Sequence, residues 1–230
     1  MLPPKNIFAT ASQIKQLDQL AETKYKQSAY LLMQRAGEEM AARIAENYPS
    51  TSIRFVLFCG KGNNGGDGIV IGRELEAKGY TVEIWILAED DRALSSTSRE
   101  HLRDSEFDTK SCRFLTEEEG LEMIRSLSEA DVVIDALLGI SLKGSPQGLY
   151  QKCIESINQA DKQVIAVDLP SGLDADQGVI SECLIKAHKT YTIAAPKKCM
   201  QEARALSFCG EIELVDIGFT EALLKEVFHF

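Results

Sequence analysis

Long apolar runs are missing from this 230-residue chain. None approaches the roughly 18 to 20 residues that a membrane-spanning helix needs, and the N-terminus lacks the basic-then-apolar pattern of a secretory signal. Histidine is scarce, and His101, His188 and His229 stand far apart, which argues against a histidine-built zinc site. The six cysteines (Cys59, Cys112, Cys153, Cys183, Cys199 and Cys209) form no C-x-x-C pair, and several sit among apolar residues. They are expected as buried, reduced thiols rather than as disulfides or metal ligands. Positive charge is in deficit: 25 Lys and Arg stand against 35 Asp and Glu, a formal charge of −10. Such a chain has no basic stripe with which to displace counterions from nucleic acid or to hold an anionic membrane. A small anionic ligand is still allowed where local donors converge. The expected setting is a reducing cytoplasm.

What the chain does have is an ordinary globular composition, 44% hydrophobic and 26% charged. Its length suits one domain over residues 1–230. Residues 1–50 read as a helical pair packed on it: Ile14, Leu17, Leu20 and Ala21 recur at helical spacing within 10–24, and Leu32, Ala36, Met40 and Ile44 do so within 30–47. From Ile53 onward apolar, β-branched runs alternate with helical ones. Strands are expected over 53–59, 81–87, 131–138, 163–169, 190–194 and 211–217. Helices are expected over 69–78, 98–106, 117–128, 150–158 and 200–208, and the polar stretch 89–98 reads as an exposed loop. Several strands are apolar on both faces, the mark of a parallel sheet covered on both sides. The predicted fold is α/β, a three-layer αβα Rossmann-like sandwich with a mostly parallel sheet and an N-terminal helical pair.

Ligands of such sheets bind beyond the carboxyl ends of the strands, where strand order reverses. Three segments fall there. After the first strand, Gly60, Gly62, Gly65, Gly66 and Gly68 punctuate a run that satisfies G-x-G-x-x-G before a predicted helix, a phosphate-friendly arrangement. Asn63, Asn64 and Asp67 within it are foreign to a plain pyrophosphate cradle. No Lys-Ser/Thr pair makes it a Walker loop, and no acidic residue closes the second strand as a dehydrogenase would require.

Asp135 lies in an apolar strand. It either accepts hydrogen bonds from nearby loop amides or serves as a cation ligand or acid–base group. The loop beyond it, bracketed by Gly139 and Gly144, carries Lys143. Asp168 ends another strand before Pro170-Ser171-Gly172, a turn without the flanking pattern of a nucleophile elbow. Asn64, Asp135 and Ser171 together offer hard oxygen ligands from three loops.

At these residues the chain resembles the NAD(P)H-hydrate epimerase family, the domain that precedes a dehydratase in bacterial fusions. The resemblance runs through Leu32-Met33-Gln34-Arg35-Ala36-Gly37, Cys59 to Gly68, Asp135 to Gly144, Val167 to Gly172, Ala195-Pro196-Lys197 and Val215 to Gly218. It implies an isomerase that interconverts the R and S forms of NADH or NADPH hydrated at C6 of the ring. It also implies a potassium ion on Asn64, Asp135 and Ser171. The substrate would touch Asn63, Asn64, Gly65, Gly66, Asp67, Gly139, Ile140, Ser141, Leu142, Lys143, Gly144, Ser145 and Asp168. Asp168 is the expected acid–base residue, assisted by Lys143. A homodimer and a separate ADP- or ATP-dependent dehydratase as functional partner follow from the same resemblance. The competing readings are a non-catalytic nucleotide- or protein-binding module and an NAD(P)-dependent oxidoreductase.

Overall fold

A computed structural model of the protein describes residues 2–4, 7–104, 111–116 and 120–230. Its centre is a seven-stranded sheet of order β3-β2-β1-β4-β5-β6-β7 in which every neighbouring pair is parallel. The strands are β1 (Arg54–Cys59), β2 (Thr81–Ile86), β3 (Cys112–Phe114), β4 (Val132–Ala136), β5 (Gln163–Val167), β6 (Lys189–Ile193) and β7 (Glu211–Val215). The chain runs outward from β1 to β3, then returns to lay β4 on the other side of β1. The reversal point therefore lies between the ends of β1 and β4, where Phe58 and Cys59 stand opposite Asp135 and Ala136.

Alternation divides the sheet between two cores. Phe55, Leu57 and Cys59 join one apolar cluster with Ile134, Ile165 and Val167, whereas Val56 and Phe58 join another with Trp85, Val133 and Ala166. The first cluster takes in residues of α1 (Ala11–Thr23), α2 (Ala29–Asn47), α3 (Asn63–Ala77) and α8 (Glu221–Phe228). The second takes in residues of α5 (Gly120–Glu129) and α6 (Leu149–Gln159). Burial on both faces is why the strands lack a polar side.

The N-terminal pair forms for local reasons. Thr10 and Gln13 make a reciprocal capping box at α1, and the Ser28 side chain accepts from the Leu31 N–H at α2. Helix α2 then packs along α3, with Gly37 so close that a Cβ there would meet Val70 at 2.3 Å. Helix α1 packs on α8.

Three expectations are corrected, and two elements appear that were not expected. The helix expected over 69–78 begins at Asn63, so most of the glycine run is helical. Gly65, Gly66 and Gly68 serve close packing within the helix. The stretch 89–98 folds into a 3₁₀ turn (Asp91–Ala93) and the start of α4 (Ser96–Leu102), with Leu94 and Ser98 buried. Strand β3 and helix α8 were not anticipated, the one too short and the other too near the chain's end to show a period. The segment expected over 200–208 is a 3₁₀ turn (Lys198–Gln201) followed by α7 (Ala203–Cys209). Residues 105–106 and 117–119 of the two expected helices lie outside the described residues.

Candidate active site

The β1 end and the start of α3 form one tight corner. A Cβ on Gly60 would lie 1.9 Å from the Leu137 carbonyl oxygen, and one on Gly65 would lie 1.9 Å from the Gly60 carbonyl oxygen. A Cβ on Gly68 would lie 2.5 Å from the Ala136 Cβ and 2.7 Å from the Cys59 Sγ. Glycine at these positions lets the helix descend onto β1 and β4. Gly66 faces the other way, against Ser98 and Met33. Gly62 caps α3 with no side-chain hydrogen bond, so the first amides of this fifteen-residue helix have no side-chain cap from it. An uncapped helix start of this kind suits an anion.

Across the reversal point, Asp135 is fully buried and carries three hydrogen bonds. Its carboxylate accepts from the Ser171 backbone N–H at 2.8 Å, the Ser171 Oγ–H at 2.6 Å and the Leu137 N–H at 3.2 Å. Burial raises its pKa to about 6 against the pull of those three donors. The Leu138 N–H donates to Ser171 Oγ at 2.8 Å. The next residue, Gly139, abuts the Asn64 side chain, with 3.2 Å between an added Cβ and the Asn64 Cβ. Asn64, Asp135 and Ser171 are thus gathered around one turn, Leu137 to Gly139. The Asn64 Nδ2 is buried there without a hydrogen-bond partner among the described residues. The amide turned over would place Oδ1 in that position.

Asp168 follows β5 and is only 8% exposed. Its backbone is left-handed, φ +68°, a conformation that costs a non-glycine residue about 1 kcal/mol or more and persists where the surroundings impose it. Its Oδ1 accepts from the Ile193 N–H at 3.0 Å and from the ammonium of Lys197. Lys197 is fully buried and also donates to Thr192 Oγ1 at 3.0 Å, the Ile193 carbonyl at 2.9 Å and the Ala195 carbonyl at 3.2 Å. The lysine at Asp168 is therefore Lys197. Lys143, expected in that role, is exposed on the loop over Gly139–Ser145 and makes no ion pair with the described residues. In that loop Ser141, Gly144 and Ser145 are also exposed, and Ile140 and Leu142 are half-buried, with Ile140 packed against the core.

Two further carboxylates complete the surroundings. Asp67, in the second turn of α3, has its pKa pushed well above the carboxylate range by burial, then by the charges of Asp168 and Asp18, with Lys197 opposing. Asp18 of α1 is raised to about 6 by desolvation and then by Asp168, again with Lys197 opposing. Sequence reasoning did not single out Asp18 or assign Lys197 a role. The available signal was an acid one helical turn after Ile14 and a lysine directly after Ala195-Pro196. Two open recesses of about 540 Å³ elsewhere, one beside Arg35 and Asp216 and one beside Tyr30 and Arg99, hold none of these groups.

A family model described as YjeF-related protein N-terminus matches residues 29–199. A protein from Pirellula staleyi named NAD(P)H-hydrate epimerase is 34% identical, the match covering 92% of this chain and 92% of that one. One of the same name from Elusimicrobium minutum is 32% identical, covering 95% and 98%. The Bifunctional NAD(P)H-hydrate repair enzyme Nnr of Moorella thermoacetica is 36% identical over 94% of this chain, which spans 41% of that longer protein. A solved yeast protein shares the fold, with a TM-score of 0.82, 20% identity, and coverage of 96% and 93% of the two chains.

Proposed function

Because the chain belongs to the YjeF-related N-terminal family, that of the NAD(P)H-hydrate epimerases, we propose that it interconverts the R and S forms of hydrated NADH and NADPH. The observation that carries this reading is the buried, backbone-strained Asp168–Lys197 pair at a strand end beside a free helix N-terminus. Dinucleotide phosphates suit the uncapped amides of Asn63, Asn64 and Gly65, and Lys143 on the exposed loop would meet the same charge. Gly139 to Ser145 would cover the bound molecule, with Asp67 and Asp168 near the ring.

The chemistry asks little of the protein beyond proton handling. The ring nitrogen's lone pair forms a C=N bond as the C6–O bond breaks, and the departing oxygen takes a proton and leaves as water. Water then adds to C6 from the opposite face and gives up a proton. A carboxylate held by the Ile193 amide and the Lys197 ammonium keeps one oxygen for this traffic, and Asp168 Oδ2 carries no hydrogen bond among the described residues.

Asn64, Asp135 and Ser171 fit a potassium ion: one carboxylate, one hydroxyl and one amide, the amide having its Nδ2 unpaired among the described residues so that it can turn its oxygen inward. A single negative charge among neutral hard oxygens suits a monovalent cation better than a divalent one. Potassium, when bound, supplies a fixed positive charge that helps balance the dinucleotide phosphates. The bifunctional relatives support a functional partnership with a dehydratase. Six free cysteines support a reducing, cytoplasmic setting.

Chromatography of pure R or S hydrate with the protein, with and without potassium, tests the reading. Interconversion above the uncatalysed rate is expected, and its absence refutes the epimerase. Undiminished turnover by Asp168→Asn removes Asp168 from its role.

A further inference from the structure

Phosphates seated at the start of α3 need backbone N–H groups held at a fixed angle, and a glycine turn does not hold itself. We propose that Ser98, on helix α4, is the positioning residue that sets this angle and so tightens binding of the hydrated dinucleotide. This rests on the epimerase reading above and deepens it.

Ser98 is fully buried, so it acts through the turn rather than on the substrate. Its Oγ–H donates to the Gly62 carbonyl at 3.1 Å. A carbonyl can only accept, so in the 2.8 Å contact between the two hydroxyls Ser95 is the donor and Ser98 the acceptor. The Ser95 Oγ accepts in turn from the Ser98 N–H at 3.2 Å, and the Ser95 N–H donates to the Lys61 carbonyl at 2.8 Å. Two successive carbonyls of the glycine turn, those of Lys61 and Gly62, are therefore held by the start of α4. The approach requires a glycine at 66, where a Cβ would lie 2.4 Å from the Ser98 Oγ.

A trans peptide unit is planar, with its N–H pointing opposite its carbonyl. Fixing the Lys61 and Gly62 carbonyls on α4 thus turns the N–H groups of Gly62 and Asn63 away from α4. Neither has an acceptor among the described residues. The Lys61 N–H donates to Tyr150 Oη of α6 at 3.3 Å, so the turn is strung between two helices. Helix α3 can start without the serine, because the Gly66 N–H already donates to the Gly62 carbonyl at 3.2 Å. What Ser98 adds is direction.

Helix α4 is fixed firmly enough to supply it. The Arg99 guanidinium donates to the carbonyls of Asp91, Arg92 and Leu94 at 2.9, 2.8 and 3.0 Å. The His101 ring stacks on Tyr30 with 3.9 Å between ring centres, and its Nε2 lies 3.1 Å from the Tyr30 carbonyl. Leu94 and Leu102 are buried in the core that α2 and α3 share. The amides are thereby oriented before the substrate arrives, which leaves less ordering to the binding step. Phosphates take no part in the change at C6, so the gain is equal in the ground and transition states and acts on KM rather than kcat.

Initial rates with the pure S hydrate of NADH test the role, corrected for the uncatalysed reaction and for folded fraction by circular dichroism. Ser98→Ala should raise KM about fivefold, the worth of one hydrogen bond, and leave kcat within about twofold. The inhibition constant of ADP-ribose, which carries the phosphates without the nicotinamide ring, should rise by the same factor. Ser98→Cys keeps the size with a weaker donor and should fall between the two proteins. A fall in kcat at unchanged KM, no change in either, or a loss no greater than the fall in folded fraction overturns the role of Ser98. So does a parent protein that ADP-ribose does not inhibit, because the phosphates would not then lie on this turn. Failure of the unsubstituted protein to epimerise at all overturns the functional reading instead, so the two failures are told apart.

Discussion

Gly68→Ala tests whether the glycine run serves close packing rather than loop flexibility. The added methyl would stand 2.5 Å from the Ala136 Cβ and 2.7 Å from the Cys59 Sγ, where carbon contacts settle near 3.5–4.0 Å. The Ala136 Cβ has no rotamer to move into, and both neighbours belong to central strands. Helix α3 must therefore withdraw by about 1 Å. Such overpacking costs about 3 kcal/mol at its upper range, and the better helix propensity of alanine returns about 1 kcal/mol. The net loss of about 2 kcal/mol corresponds to a fall of roughly 4–8 °C in Tm for a chain of this size. Because α3 carries Asn64, the same retreat parts it from Gly139 and should lower epimerisation about 100-fold. Gly62→Ala is the control: a Cβ there meets nothing within 4 Å and φ is negative, so Tm should hold within about 2 °C. Differential scanning calorimetry and the epimer assay read both effects. A Gly68→Ala protein with unchanged Tm and turnover would refute the close-packing account.

Lys197→Met leaves the carboxylate of Asp168 buried without its cation and should cost about 3–5 kcal/mol in urea unfolding. The double variant with Asp168→Asn should recover part of that loss, and strict additivity would contradict direct pairing. Potassium chloride should raise Tm above lithium chloride at equal ionic strength, by linkage to a site in the folded state, and Asp135→Asn or Ser171→Ala should abolish the difference. Asp18 has a folded-state pKa of about 6 against an ordinary 3.8, so the folded state holds its proton more tightly. Its contribution is fully present below about pH 4, is lost as pH rises toward 6, and is constant above. The urea midpoint of Asp18→Asn should therefore decline less than that of the parent over that interval, and parallel curves would show that Asp18 is not perturbed.

Central strands were legible because burial on two faces leaves a strong compositional trace. The runs 53–59, 131–138 and 163–169 stand out by their Val, Ile and Leu content, and β1, β4 and β5 fall within them. Strand β3 has three residues at the sheet edge, two half-buried and one exposed, and leaves almost none. Helix α3 was misread at its start for a physical reason. Glycine usually signals a helix's absence through its entropy cost. Here the contacts a Cβ would make with Gly60, Ser98, Ala136 and Cys59 show what close approach gains in exchange.

The site follows a similar division. Asp135, Ser171 and Asp168 could be picked out because a carboxylate or hydroxyl at the end of an apolar strand is costly unless something engages it. What no single segment reveals is which partner crosses the gap. Lys143 and Lys197 are both lysines in turn-like segments, and only the pairing of β5 with β6 decides between them. Val167 stands opposite Tyr191. The next residue, Asp168, therefore emerges beside Ile193, whose amide it accepts, and the chain turns at Ala194 with φ +66° to bring Lys197 back onto the same oxygen. The short bridge from Ala9 to Lys197 then seats α1 over that turn. Strand register thus selects the lysine, and the lysine's segment in turn anchors the chain entering the N-terminal helix.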